Sequence, residues 1–194
     1  ELQLAIKGQY TLKTILFYPE LVTDDTIWEL IRGISPVPEV IAISKDIFQK
    51  LAHRETTEGI LAIAVAREHS LESLKFKNDS PLILVAEAPE KPGNIGALLR
   101  TADAAGLDAV IIANPKSDLY NPNIIRSSVG CVFTTKIALG STPEIIQFLI
   151  NRNIAINCAA LSASKPYTEV DFTKGTAIVV GTEATGLSEQ WLNK

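Results

Sequence analysis

The sequence is poor in the residues that metal sites and nucleophilic catalysis use most. Its 194 residues include two histidines, two cysteines and no methionine. Cys131 and Cys158 lie in separate apolar stretches without paired spacing, so we expect buried, reduced thiols rather than a disulfide or a metal site. His53 and His69 both lie in polar segments of the first half. No Ser-His-Asp set can therefore be assembled, and hydrolase chemistry has little support.

Long apolar runs and a leader sequence are also missing. No apolar stretch approaches the ~20 residues that span a bilayer, and the chain does not open with a basic, apolar, small-residue leader. We therefore expect a cytoplasmic protein. Because the chain starts with Glu1 and lacks methionine, we also expect an internal segment of a longer protein.

An excess of positive charge is absent as well. The formal net charge is −4, and lysine and arginine do not outnumber aspartate and glutamate in either half of the chain. General affinity for nucleic acid comes from neutralising phosphates with these two cations. Any nucleic-acid site must therefore be local.

The first part of the chain alternates between strand and helix patterns, in the order β-α-β-α-β. Apolar periodicity and stop residues predict strands at 12–18, 39–43 and 59–66, the last of them buried, and helices at 24–31 and after a Ser44 cap. This order predicts a small α/β sandwich over residues 1–70. The polar residues 71–80 are the best linker, and the second domain then covers residues 81–194.

The second part alternates in the same way over a longer stretch. It predicts strands at 82–86, 109–113, 132–137, 154–159 and 176–181, and helices at 94–105, 122–128 and 143–151. We expect Asn94 to cap the first of these helices and Thr142 the third, because both residues are good N-caps. Strands separated by helices indicate a mostly parallel sheet that is covered on both faces.

The glycine turn before residues 94–105 raises the possibility of a nucleotide-binding dehydrogenase. Gly93 and Gly96 form G-x-x-G, whereas the dinucleotide fingerprint requires G-x-G-x-x-G and an acidic residue further on. No P-loop is present either. The turn therefore needs another explanation.

Two segments resemble the signatures of the SpoU (TrmH-type) RNA ribose methyltransferases of the SPOUT superfamily. The first signature is matched by Asn94, Gly96, Arg100, Thr101, Ala102 and Gly106, and the second by residues 177–187. Residues 118–130 resemble the segment between the signatures. Residues 11–66 look like the family's smaller substrate-binding domain, which is similar to ribosomal protein L30e. The resemblance implies an α/β-knot domain whose third signature, and with it the C-terminal knot segment, is absent here.

The resemblance also implies an activity. It is the transfer of a methyl group from S-adenosylmethionine to a ribose 2′-hydroxyl in structured RNA, ribosomal or transfer, by a homodimer without a metal. The alternative is a noncatalytic RNA-binding protein that keeps the fold. The joint presence of Asn94, Arg100 and Glu183 favours the enzyme.

The resemblance assigns these three residues to catalysis. Arg100 is suited to hold a phosphate and the adjacent ribose, since its guanidinium is a permanent cation with a planar, bidentate fork. A structural salt bridge from Arg100 to Glu183 is the alternative. Glu183 follows a strand and can orient Arg100 or the substrate. Asn94 is placed at the rim of the active site, with the helix cap as its alternative role.

Further residues are implied to bind the cofactor and the RNA. Gly181 allows close backbone approach to the cofactor, Leu187 offers apolar contact, and Leu161 resembles a position whose backbone meets the adenosine. Arg126 and Arg54 are candidates for binding RNA phosphates, although Arg126 also suits a dimer interface and Arg54 a solvated loop.

The chain departs from the family pattern at two positions of the signatures. Lys91 stands before Pro92 where many members have Asp-Pro, and Thr182 stands where Asn often precedes the glutamate. Neither change removes a group that the mechanism requires. With the third signature missing, we expect the loop of residues 182–188 to be mobile.

Overall fold

The computed structural model describes residues 1–23, 25–52, 58–162 and 165–193. The chain divides into two units, residues 1–67 and 68–194. Within the described ranges, no helix is long and apolar enough to cross a membrane.

The first unit has a three-stranded sheet in which β1 (Leu12–Phe17) lies between β2 (Glu39–Ala42) and β3 (Ile60–Ala64). β1 runs parallel to β2 and antiparallel to β3. Its helices are α1 (Leu2–Lys7), α2 (Thr26–Arg32) and α3 (Lys45–Leu51). The core forms around Leu12, Ile15 and Ile31. This order matches the predicted α/β alternation, with α1 as an unpredicted addition.

Two local predictions for this unit have different outcomes. Ser44 caps α3 as predicted, because its hydroxyl accepts a hydrogen bond from the backbone N–H of Ile47. The expectation of a buried strand at 59–66 is wrong. β3 is an edge strand, and the Ile63 side chain is 53% exposed.

The second unit has a five-stranded sheet whose strands are all parallel, in the order β6-β5-β4-β8-β7. The mostly parallel sheet is therefore confirmed. The strands are β4 (Leu82–Glu87), β5 (Ala109–Ala113), β6 (Ile137–Gly140), β7 (Ala155–Cys158) and β8 (Thr176–Val180). The helices are α4 (Pro92–Ala104), α5 (Pro122–Ser127), α6 (Thr142–Asn151) and α7 (Glu189–Leu192).

Apolar residues cover both faces of this sheet. Along β4, Ile83 and Val85 pack on the side of α6 and α7, while Leu84 packs on the side of α4 and α5. This alternation follows from the two-residue period of a strand. Residues 71–80, predicted as a linker, begin with a 3-10 turn, and Leu71 and Leu74 are buried in the core of this unit.

The strand predicted at 132–137 is wrong over most of its length. Gly130 adopts a left-handed conformation, with φ of 85°, and Cys131–Phe133 then form a 3-10 turn. Backbone N–H groups of this segment donate to turn hydrogen bonds, such as that from Thr134 N–H to the Cys131 carbonyl at 3.1 Å. These N–H groups are then not available to pair with a neighbouring strand. Val132 is still fully buried, so its apolar character reflects the core rather than a strand.

Two predicted helix caps are also wrong. α4 begins at Pro92, with Lys91 at the cap position, so Asn94 lies inside the first turn. Proline suits the first helical position because its missing N–H would be unpaired there anyway. At α6 the cap is Ser141, which forms a capping box with Glu144. The side chain of Asn94 is consequently available for other contacts.

Gly96 allows α4 and α5 to approach closely. A Cβ at this position would lie 2.1 Å from Ser127 Oγ and 2.5 Å from the Ser127 carbonyl carbon. Such distances are far shorter than any carbon contact in a packed protein, so only glycine fits.

We expect Gly96→Ala to destabilise the second unit by about 1–3 kcal/mol, because the added methyl group overpacks the α4–α5 contact. Alanine's better helix propensity offsets about 1 kcal/mol at most. The measurement is urea unfolding followed by Trp191 fluorescence in a Trp28→Phe background.

The matched control is Gly93→Ala in the same helix, where a Cβ would meet no atom within 4 Å. It should leave the unfolding midpoint unchanged or raise it. Equal midpoints for the two variants would contradict the close approach of the helices.

Candidate functional site

The site lies where the strand order of the parallel sheet reverses direction. After β4 the chain adds β5 and β6 on one side of it. It then crosses to the other side, where it forms β7 at the edge and β8 between β7 and β4. Ligands of open α/β sheets bind at such a point, outside the carboxyl ends of the strands. A cleft of about 660 Å³ occupies this position between β4 and β8. Its lining includes Lys91, Asn94, Leu98, Thr101, Gly181 and Glu183.

Two elements bring the polar residues of the cleft together. Lys91 and Asn94 come from the start of α4, just after β4, and Glu183 comes from the loop after β8. Lys91 Nζ lies 2.9 Å from Glu183 Oε2, and both side chains are about 70% exposed, at 70% and 72%. The two segments of the cleft are therefore linked by an exposed ion pair.

This ion pair favours the ionised form of Glu183. The hydrogen bond from Lys91 and its positive charge hold the pKa of Glu183 below its ordinary value, and the nearby Asn94 amide lowers it slightly further. The same contact with Glu183 raises the pKa of Lys91. Both groups are consequently charged at neutral pH, and Glu183 acts as a hydrogen-bond acceptor.

The loop of residues 182–188, which we expect to be mobile, is crossed by its own backbone hydrogen bonds. Thr182 and Gly186 exchange two backbone hydrogen bonds, at 3.0 and 3.1 Å. A Cβ on Gly181 would lie 2.1 Å from the Gly186 carbonyl carbon. Position 181 therefore requires glycine, because the loop folds back and brings Gly186 against it. The sequence did not predict this contact.

A buried carboxylate anchors the end of this loop. Glu87, at the carboxyl end of β4, is 6% exposed. It accepts hydrogen bonds from Ser188 N–H at 2.8 Å, from Ser188 Oγ at 2.7 Å and from Thr142 Oγ1 at 3.3 Å. Asn114 Nδ2 in turn donates to Thr142 Oγ1 at 2.9 Å. This Glu87 network joins β4, β5, α6 and the loop.

The other residues predicted for catalysis and RNA binding lie elsewhere. Arg100 is exposed on α4, does not line the cleft, and lies near Cys131 and Asp103. The ion pairs within the described residues are Lys91–Glu183 and Lys174–Asp171, so the alternative salt bridge from Arg100 to Glu183 is not formed. Arg126 is exposed on α5. Arg54 lies outside the described residues.

The residues predicted for the cofactor follow two neighbouring strands. Gly181 and Leu187 follow β8, and Leu161 follows β7, which pairs with β8. Leu161 is completely exposed, at 102%, whereas Leu187 packs against the core. Of these three residues only Gly181 lines the cleft. Among the residues described, no cluster of potential ligands could hold a metal ion.

Residues 81–194 match the model of the SpoU rRNA Methylase family. The chain belongs to this family. It is 28% identical over 192 residues to the Bacillus subtilis 23S rRNA (guanosine(2553)-2'-O)-methyltransferase RlmP, covering 97% of this chain and 75% of RlmP. A 23S rRNA (uridine(2479)-2'-O)-methyltransferase of Streptomyces viridochromogenes is 27% identical over 98% of this chain and 68% of its own length.

A solved structure shares the fold as well. The SpoU methyltransferase AviRb from Streptomyces viridochromogenes, in complex with AdoMet, superposes with a TM-score of 0.86. The two chains are 26% identical, and the alignment covers 99% of this chain and 74% of AviRb. The α/β fold and the relationship to SpoU methyltransferases are therefore both established.

Two features of the site were not predicted from the sequence. Lys91 differs there from the family pattern, but its pair with Glu183 was not expected. The Glu87 network was not expected either, because Glu87 reads as the last residue of an apolar strand. A charged residue closing a buried strand is the signal that could have found it, since such residues are almost never buried without partners.

We expect Glu87→Gln to destabilise the second unit by about 1–3 kcal/mol, because the amide NH₂ would face a buried donor of Ser188. Ser188→Ala should cost about 1 kcal/mol, since it removes one hydroxyl and leaves the backbone contact. The measurement is urea unfolding in the Trp28→Phe background. A Glu87→Gln variant as stable as the parent would contradict the network.

A second prediction concerns the pKa of Glu183. Lys91→Gln should raise it toward the ordinary glutamate value of about 4.3, because the variant loses the cation and its strong hydrogen bond. Since the folded pKa is depressed, the pair stabilises the protein above the ordinary pKa, and this contribution is lost as the pH falls through the depressed value.

Carbon-13 NMR titration of the Glu183 carboxyl measures this shift directly. Lys174→Gln, which breaks the other described ion pair with Asp171, is the control and should leave the Glu183 titration unchanged. An unchanged Glu183 pKa in Lys91→Gln would show that the pair does not form in solution.

Proposed function

We propose that the protein transfers a methyl group from S-adenosylmethionine to a ribose 2′-hydroxyl of RNA, and that its substrate is 23S ribosomal RNA. The observation that carries this proposal is that Asn94, from the first signature, and Glu183, from the second, line the same cleft. That cleft lies between β4 and β8 at the carboxyl ends of the strands. The relatives named above methylate 23S rRNA at a 2′-oxygen, which supports the choice of substrate.

The residues around the carboxyl ends of β7 and β8 fit such a cofactor. Gly181 lines the cleft, whereas Leu161 and Leu187 follow β7 and β8 outside its lining. Gly181, Leu187 and the exposed Leu161 would hold the adenosine part through backbone and apolar contacts. When bound, the cofactor supplies an electrophilic methyl group on a sulfonium.

The chain's own residues then align the acceptor. Glu183 stays ionised, so its carboxylate can accept a hydrogen bond from a ribose hydroxyl and fix its direction. Asn94 can donate an amide N–H to a ribose oxygen. Such positioning can supply ~7–11 kcal/mol of the barrier. Because Arg100 lies outside the cleft lining, we assign it and Arg126 to the RNA backbone.

Four further features belong to this proposal. The first unit binds RNA, with Arg54 among its contacts, and the second carries the methyltransferase site. The protein acts as a homodimer, and it acts in the cytoplasm. Exposed apolar side chains such as Val129 and Leu192 supply surface for a dimer contact. Light scattering coupled to gel filtration measures the dimer.

The function is tested by calorimetry with S-adenosylmethionine and by transfer of labelled methyl to in vitro-transcribed 23S rRNA. We expect cofactor binding, and one 2′-O-methylated nucleotide on mass spectrometry. Asn94→Ala should lower kcat by about 100-fold, because misplacing the acceptor by ~1 Å costs that much.

Asn151→Ala is the matched control, since Asn151 ends α6 and lies outside the cleft lining. It should leave kcat unchanged. RNA binding without cofactor binding or methyl transfer would instead identify a noncatalytic RNA-binding protein.

A further inference from the structure

Lys91 is the one cation among the described residues that line the cleft. The other charged residues of the lining are Glu90 and Glu183, both acidic. Two carboxylates at a cleft mouth repel a polyanion such as RNA. A substrate phosphate that enters this cleft must therefore meet Lys91.

Stability does not account for a lysine at this position. Lys91 occupies the cap position of α4 and makes no side-chain capping bond. A cation there also opposes the helix dipole, whose N-terminal end is positive. The pair with Glu183 does no more than offset this cost, because exposed ion pairs contribute little to stability. A local preference broken without a gain in stability is typical of a functional residue.

The ion pair between Lys91 and Glu183 can open easily. Both side chains are mostly exposed, and a single 2.9 Å contact joins them. Lys91 can therefore leave Glu183 without leaving either charge buried and unpaired. Asn94 lines the same cleft as Glu183, so a polar group stays beside the carboxylate.

We propose that Lys91 binds the phosphodiester beside the target ribose and releases Glu183 to orient the 2′-hydroxyl. This inference rests on the proposed function. The ribose C2′ is bonded to C3′, which carries the 3′-phosphate, so a cleft that holds the 2′-hydroxyl brings that phosphate close. A lysine ammonium on a flexible stem suits such a contact, because phosphate contacts position a nucleic acid without reading its sequence.

The test is steady-state methylation of in vitro-transcribed 23S rRNA at several salt concentrations. Lys91→Ala should raise the KM for RNA by about tenfold, and reduce the slope of log KM against log salt by about one, since one phosphate contact is lost. Lys91→Arg should restore both values. The Kd for S-adenosylmethionine, measured by calorimetry, should not change.

Lys174→Ala is the matched control, because it breaks an exposed ion pair outside the cleft. A Lys91→Ala variant with the KM and salt slope of Lys174→Ala would overturn the proposal. So would a change in the cofactor Kd with an unchanged KM for RNA. If the parent protein itself neither binds the cofactor nor transfers methyl, the proposed function fails, which is a distinguishable result.

Discussion

The parallel pairing of β4 with β8 is the constraint on which the site depends. The two strands are distant in sequence, yet their pairing runs to Ala86 opposite Val180. The next residues of each strand must then leave the sheet at the same edge, and this brings Lys91 and Glu183 within 2.9 Å. Since β4 is the central strand of a buried sheet, the core of the fold sets the geometry of these two exposed residues.

The Glu87 network extends this constraint beyond the last strand pair. The loop after β8 is tied to the sheet at its start through Gly181, and near its end Leu187 packs against the core. By accepting two hydrogen bonds from Ser188, Glu87 fixes the far end of the same loop to β4. Through Thr142 it also fixes the start of α6. A buried carboxylate without a cation is costly, and the described residues offer it hydroxyl and amide donors instead. Glu183 is thus carried on a loop held at both ends.

Sequence patterns predicted the parts of this structure that depend on neighbours along the chain. Strand β5 and helix α5 follow from apolar runs and proline positions, and the two signatures locate Asn94 and Glu183. Contacts between distant segments could not be predicted in this way. Strand register and loop paths determine three features: the direction of Arg100, the pair between Lys91 and Glu183, and the contact of Gly186 with Gly181. Val132 shows the same limit, because an apolar residue buried by a turn has the same pattern as one in a strand.

Three local conflicts of the second unit lie at one edge of the sheet. A lysine begins α4 where a capping residue would be preferred, and a glutamate is buried without a cation at the end of β4. A glycine at the end of β8 permits a backbone contact that no other residue allows. Stable proteins satisfy local preferences nearly everywhere, and break them where function imposes another requirement. Two of these three residues, Lys91 and Gly181, line the cleft. The proposed function gives a reason for both, because it requires a cation and a close backbone approach at this place.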